Sequence, residues 1–383
     1  MNYEAMVKLF GCCIPVCKTQ NNEIRYLTDT IHDWMEIICY AEKFGFTSLL
    51  YGKIKEFDIS LPAEAELMCQ IIVKRHYLSN EAKMRVLEKI TMAFQENSIQ
   101  SIALKGAALA NVLYPNLSDR PMADLDVLIS QSMTAKVSAI MKEMGFSCVT
   151  NANSYHSCAH LPTLQIKQDG FPVNVEIHQF LCQDTSSHPW LTLDDLQYPT
   201  QQFMLFDRCP VSYLSHEEML FHLCWHAFYD HRSFQPLNYL WISDILNYAE
   251  KFKEQINWDV IRRDFSIVIN SLSVLNGFVP LSENLISKLG FDTSCRYHHA
   301  GSESFGWPMI PISEFRRRGF LKTLKRTLFP SDWWLYLHYG KNGQTSIYPY
   351  WQNHISDLFA ESRERIQLRI RKNFGHFLRI PHG

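Results

Sequence analysis

The stretch Asp124-Leu125-Asp126-Val127-Leu128-Ile129 constrains this chain more than any other. Its branched apolar residues predict a strand, and a strand's period of two puts the Asp124 and Asp126 carboxylates on one face. Two ionised carboxylates that close repel by roughly 1 kcal/mol in water, and severalfold more in a partly buried site. A divalent cation removes the conflict, and ligands that are all oxygen favour Mg2+ or Mn2+. Alone, the pair reads more simply as a solvated acidic strand start. Its neighbours on both sides point elsewhere.

Upstream, residues 101–104 predict a short buried strand stopping at Lys105-Gly106, and residues 107–113 have helical composition without Pro or Gly. A strand, a tight Gly turn and a helix N-terminus make an anion site, because free backbone N–H groups and the helix dipole converge there. Gly106 is expected to let the backbone approach phosphates and to adopt a conformation that a Cβ would hinder. Downstream, residues 171–178 alternate: Val173, Val175 and Ile177 face one way, Asn174, Glu176 and His178 the other. Glu176 is thus a third carboxylate available to join the first two. A phosphate cradle, an acidic pair and a lone acid on a later strand follow the order of a metal-dependent nucleotidyl-transfer site.

These residues resemble the nucleotidyltransferase superfamily of the DNA polymerase β type. More closely, they resemble a bacterial branch known only as uncharacterised nucleotidyltransferases. The resemblance rests on Lys105-Gly106, Tyr114-Pro115, Arg120, Asp124-Leu125-Asp126 and Glu176-Ile177-His178 over roughly residues 98–180. A weaker likeness continues through Leu214-Ser215, His226 and Asp244 to Leu328-Phe329-Pro330. It implies an α/β (α+β) fold, a polymerase β-like core with a small mixed sheet and helices on one side, flanked by helical regions. It also implies metal ligation and catalysis by Asp124, Asp126 and Glu176, and nucleotide binding by Lys105, Gly106, Ala107 and Arg120. The superfamily's small loop is usually Gly-Ser or Gly-Gly; here Gly106-Ala107 offers no hydroxyl to the phosphates.

The bulk numbers set outer bounds. The 383 residues suffice for one large or two ordinary domains, and 46% hydrophobic with 20% charged residues is a globular balance. A net charge of −2 gives no general attraction to nucleic acid, which argues against a polymer substrate. No run is long enough to span a bilayer, and no signal peptide is evident near Met1. Of the 11 cysteines only Cys12, Cys13 and Cys17 cluster, without partners at zinc spacing. Reduced thiols and a cytoplasmic location are expected.

Three regions are expected: helical 1–96, a catalytic core 97–213 and helical 214–383. In the first, residues 63–97 predict one long helix with Leu67, Ile71, Val86, Leu87 and Ile90 inward. Its Glu64, Glu66, Lys74, Arg75, Lys83, Arg85, Glu88 and Lys89 are expected in solvent. In the core, a helix over 132–144 closes at Gly145, and Asp169-Gly170 predicts a hairpin between strands 164–167 and 171–178. The earlier strands are joined by helical crossovers, and polar residues 151–160 predict a mobile loop. Beyond Ser215, an expected N-cap with Glu218 at the capping-box position, lie helices starting near 216, 241 and 259. Residues 361–379 predict a basic amphipathic helix.

Several side chains carry two readings. Lys105 reaches outer phosphates or is a surface lysine; Arg120 pairs with Asp119, a metal ligand or a phosphate. His178 and His226 are second-shell or acceptor-side candidates, with packed interior histidine as the alternative. His222 and His226, one helical turn apart, lack a third metal ligand. The expected reaction moves an NMP from an NTP, taken as ATP, to a small-molecule or protein acceptor and releases pyrophosphate. A non-catalytic nucleotide-binding or interaction module of the same fold, and phosphoryl transfer with the same metals, are the competing readings.

Overall fold

The computed structural model describes residues 3–15, 21–149, 160–182, 191–230, 238–290, 319–330, 335, 337, 339 and 349–359. The expected loop over 151–160 (apart from His160), the helix over 361–379 and Cys17 lie outside the described residues. The chain divides into two compact units, Met1–Ser302 and Glu303–Gly383.

Four short helices open the first unit: α1 (Tyr3–Cys12), α2 (Asn21–Asp29), α3 (Trp34–Lys43) and α4 (Thr47–Glu56). The long α5 (Ala63–Glu96) follows, one residue shorter than the helix expected over 63–97, with Asn97 as its C-cap. Its two halves differ. Over the second half Val86, Leu87, Ile90 and Phe94 enter the core of the sheet. Over the first half, α3 and α4 pack on one side among the described residues, and Leu67 and Ile71 are 58% and 55% exposed. Both were expected inside. Lys83 and Glu88, expected in solvent, are buried instead. A helix this long changes environment along its length, and one amphipathic period cannot describe both halves.

The sheet has seven strands in the order β3-β4-β5-β2-β1-β7-β6. These are β1 (Ser101–Ala103), β2 (Asp124–Ile129), β3 (Ser147–Cys148), β4 (Leu164–Gln168), β5 (Phe171–His178), β6 (Gln201–Leu205) and β7 (Cys209–Tyr213). α6 (Lys105–Val112) joins β1 to β2, and α7 (Thr134–Glu143) joins β2 to β3. The sheet is mixed, as expected, but β1 runs antiparallel to β2 despite the intervening helix, and parallel to β7. β2 and β5 are parallel, while β4 and β5 form the expected hairpin. Its turn residues Asp169 and Gly170 both have positive φ, 48° and 85°, the backbone of a two-residue hairpin loop.

The sheet is larger than the sequence suggests because β6 and β7 announce themselves poorly. Their turn uses Phe206 and Asp207 at φ 51° and 57°, without glycine or asparagine. Yet Cys209, Val211 and Tyr213 alternate inward, so the period-two signal is present.

Apolar side chains of β2 and β5, Leu125, Val127, Ile129, Val173, Val175 and Ile177, pack with α5 and α7 in one core. The opposite face of the same strands carries Asp124, Asp126, Glu176 and His178. After the sheet come α8 (His216–Trp225), α9 (Tyr239–Lys251), α10 (Trp258–Asp264), α11 (Ser266–Asn276) and α12 (Glu283–Leu289). Ser215 caps α8 as expected, its Oγ accepting from the Glu218 N–H at 3.1 Å. In the second unit a helix Phe320–Leu328 is described, with Trp351 Nε1 donating to the Leu328 carbonyl at 2.9 Å. Among the described residues, no helix is long and apolar enough to cross a membrane.

Candidate active site

Strand register assembles the acids. In the parallel β2–β5 pair Asp126 stands opposite Glu176, and Leu128 opposite His178. His178, two residues after Glu176, shares its face, and its Nε2 lies 2.8 Å from Asp126 Oδ1 and 3.9 Å from Glu176 Oε2. Lys105 Nζ sits 3.5 Å from Asp126 Oδ2, at the start of α6. Thr163 Oγ1 donates to Glu176 Oε1 at 3.1 Å. The structure therefore brings Asp124, Asp126, Glu176, His178 and Lys105 to one wall of a cleft of about 780 Å³, which His226 also lines.

Two acids of this group are driven apart in acidity. Burial, then the charges of Asp126 and Glu176, push the Asp124 carboxyl up to about 6. Burial also opposes ionisation of Asp126, but Lys105 and the His178 hydrogen bond outweigh it and hold that carboxyl well below the usual range. On α5, burial lowers the Lys83 ammonium to about 8, with Asp124 near enough to oppose the shift. Its Nζ donates to Ser79 Oγ at 2.7 Å. A surface reading of Lys83 missed it because flanking charges hide a buried helix position.

The phosphate turn differs in detail from expectation. α6 starts at Lys105, and it is Lys105, not Gly106, that takes a left-handed backbone with φ 40°. Non-glycine residues rarely adopt that region, and such strain concentrates at functional sites. Gly106 is needed for space: a Cβ there would lie 2.6 Å from Arg120 Nη1 and 2.8 Å from Met122 Cγ. Ala107 is buried, and its N–H bonds to the Leu104 carbonyl at 3.2 Å rather than standing free for a phosphate.

Arg120 is fixed from behind. Its Nη2 and Nε donate to Asp244 Oδ2 at 2.8 and 3.2 Å, and its Nη1 to the Pro121 carbonyl at 3.1 Å. Of the partners considered from sequence, neither Asp119 nor a metal ligand takes it. Asp119 closes a capping box with Asn116 instead. Tyr114, at the far end of α6, donates to Asp244 Oδ1 at 2.8 Å. Asp244 thereby ties the segment after α6 and the approach to β2 to α9. Against burial, its carboxylate keeps the Arg120 guanidinium charged. Asn80 on α5 pins the approach to β2, its Nδ2 donating to the carbonyls of Leu117 at 2.5 Å and Arg120 at 2.8 Å. Isolated buried polar residues such as Asn80 give no pattern in sequence.

The rest of the cleft comes from flanking helices. Glu42, Lys43 and Arg75 line it from the N-terminal side, and His222, Asn238 and Trp241 from the C-terminal side. Glu42 Oε1 lies 3.1 Å from His76 Nε2, whose Nδ1 is 3.0 Å from Ser48 Oγ, a network the sequence did not reveal. His222 and His226 have ring centroids 6.5 Å apart and planes tilted by 35°, and the described metal-ligating cluster does not include them.

That cluster is Asp126, Glu176 and His178, whose ligand atoms all lie within 4.8 Å of one another. A divalent ion held at about 2.0–2.2 Å by each donor brings ligand atoms within roughly 4.4 Å of one another, and His178 Nε2 lies 2.8 Å from Asp126 Oδ1 and 3.9 Å from Glu176 Oε2. Asp124, on the same face, is a carboxyl whose ionisation its anionic neighbours resist. The residues present therefore fit a divalent cation.

The acids on adjacent strands thus lie beside a helix N-terminus in one cleft. Residues 31–267 match the family described as uncharacterised nucleotidyltransferase, and the chain belongs to that family. Its class of chemistry is nucleotidyl transfer. The match takes in α3 to α5 and α8 to α10 as well as the sheet, beyond the residues whose motifs carry the resemblance. Among curated proteins nothing matches. Three solved structures are similar. One is an antigenic nucleotidyltransferase-like protein from Paracoccidioides brasiliensis, 18% identical over 57% of this chain and 96% of that one, with a TM-score of 0.39. The others are of the antibiotic-resistance factor ANT(2'')-Ia. Its solution structure is 13% identical over 50% of this chain and 96% of that one, with a TM-score of 0.35. Its complex with adenylyl-2''-tobramycin is 14% identical over 48% and 96%, with a TM-score of 0.33.

Proposed function

We propose that the protein moves an NMP from an NTP, ATP in the first instance, to a hydroxyl or phosphate of a small-molecule or protein acceptor, and releases pyrophosphate. The observation that carries this reading is the meeting of Asp124, Asp126 and Glu176 on one sheet face beside Lys105 at the start of α6. Asp124 and Asp126, with Glu176, would hold Mg2+ or Mn2+, which supplies charge neutralisation to the triphosphate and acidifies the attacking oxygen. Lys105 and the Gly106 amide bind the outer phosphates and orient the α-phosphorus for in-line attack. Glu176 accepts the acceptor's proton. Arg120 stabilises the turn from behind, held by Asp244. Acceptor recognition falls to the cleft walls of α3, α5, α8 and α9. The expected location is the cytoplasm.

Parallel incubations with α-labelled and γ-labelled ATP, and a cell extract as acceptor source, test the reading. Label is expected to enter an acceptor only from the α position, with pyrophosphate in equal amount. Transfer of the γ label would replace this reading with phosphoryl transfer. Magnesium-dependent ATP binding without transfer of either label would make the protein a nucleotide-binding module.

A further inference from the structure

The two edges of the sheet end differently. On one side β3 is only Ser147 and Cys148, too short to template another strand. On the other, β6 is Gln201-Gln202-Phe203-Met204-Leu205, with none of the charged residues or prolines that blunt an edge. Its backbone groups can be assigned to sides. The Arg208 N–H donates to the Leu205 carbonyl at 3.2 Å, so Leu205 turns its polar backbone toward β7. In an antiparallel ladder, successive residues alternate in the side they address. Gln201 and Phe203 therefore also face β7, while Gln202 and Met204 direct their N–H and C=O away from it. Pro210, which stands opposite Met204 on β7, has no N–H to offer, in agreement with that assignment. Among the described residues no strand pairs with this outer side, and Met204 is 54% exposed.

We propose that β6 pairs antiparallel with β6 of a second copy of this chain, about a two-fold axis at Phe203, so that two sheets become one. In that register Gln202 stands opposite the partner's Met204, and Met204 opposite the partner's Gln202. Every outward N–H of one strand then meets an outward carbonyl of the other. Phe203 meets its own copy in the non-hydrogen-bonded pair, where Cα atoms stand about 4.5 Å apart and aromatic side chains pack across strands. The strand suits itself as a partner because it is neutral: no like charges come to face each other. Apolar surface flanks the same edge. Phe203 is only partly buried against the core, and Met92 is exposed on the turn of α5 between Glu88 and Gln95. Those two residues bond to the β6–β7 hairpin, through Arg208 and the Pro210 carbonyl. A net charge of −2 opposes self-association only weakly. β1 and β7 separate β6 from β2, so the inference does not depend on the chemistry of the acid cleft.

Sedimentation of the full chain over a concentration series tests it, and a reversible monomer–dimer equilibrium is expected. The variant Q202K/M204K sets lysine opposite lysine in both outer pairs. It should weaken association by about tenfold or more, as two facing like-charge pairs imply. The variant Q202E/M204K sets opposite charges in the same two pairs and should associate again. M204P removes an outward N–H without touching the β6–β7 ladder, so its association should weaken while its melting temperature stays near that of the parent. If the double-lysine variant fails to fold, undiminished association of folded M204P overturns the pairing. A parent that is monomeric at every concentration also overturns it. So does a dimer that Q202K/M204K and Q202E/M204K form equally well, since another surface would then hold it together.

Discussion

Two groups of buried charge lie close together in this protein, and they are finished differently. In one, Arg120 and Asp244 neutralise each other, with Tyr114 and Pro121 taking up further hydrogen-bonding capacity. In the other, Asp124, Asp126 and Glu176 outnumber Lys105 and Lys83, and burial together with the neighbouring acids makes Asp124 hard to ionise. The first group is complete within the chain. The second keeps an excess of negative charge among the described residues. Gly106 is where they touch, because its backbone lies against the Arg120 guanidinium on one side and opens to the acid cleft on the other.

The comparison breaks first at Asp244. Asp244→Ala leaves the buried Arg120 charge unpaired, and removing one partner of such a pair costs about 3–5 kcal/mol. Asp244→Asn keeps the shape and a hydrogen bond and should cost less. Chemical denaturation measures both. If Asp244→Ala loses under about 1 kcal/mol, the pair is not the closed structural element described here.

The acid cleft should respond chiefly in activity. Asp126→Asn should also lose some stability, since Lys105 and the His178 hydrogen bond favour its ionised carboxyl. Its pyrophosphate release should fall by at least about 10²-fold, the scale for losing one preorganised electrostatic group. Magnesium with ATP should raise the melting temperature of the parent and not of the variant. Equal gains in both would remove Asp126 from the metal assignment.

Gly106→Ala tests the contact between the groups. The added Cβ meets Arg120 Nη1 at 2.6 Å, and Arg120 is held too firmly by Asp244 to move away freely. Overpacking of this kind costs roughly 1–3 kcal/mol, so stability and ATP affinity should fall together. Affinity lost without stability would mean that the guanidinium yields.

These differences also explain what could be read from sequence. β2 and β5 were legible to the residue because one face is apolar and the other polar, so alternation defines both the strand and the site. The long helix α5 was legible in extent but not in burial. Asp244 and Asn80 act through long-range contacts, and no local period marks them. Gly106 was identified for the right place and the wrong reason: the strained backbone is one residue earlier, at Lys105. That φ is set by how β1 hands over to α6, a tertiary demand with no side-chain signature.

The smallest expected effect is a slope against pH. Asp124 has an ordinary carboxyl pKa of 3.8 when unfolded and about 6 in the folded protein. Between these values the folded state keeps a proton that the unfolded state has released. Stability then depends on pH through ν_U − ν_N, which is negative here, so stability falls as pH rises from about 4 to 6. Asp126 acts in the other direction, but only below its unfolded pKa of 3.8, because its folded carboxyl is held lower. Subtracting the Asp124→Asn curve from that of the parent isolates the Asp124 contribution. The difference should decline from pH 4 to 6 without metal and flatten with saturating Mg2+, because a cation restores the ionised form. A difference that is flat without metal would mean that Asp124 ionises normally, and that the cleft is not short of positive charge.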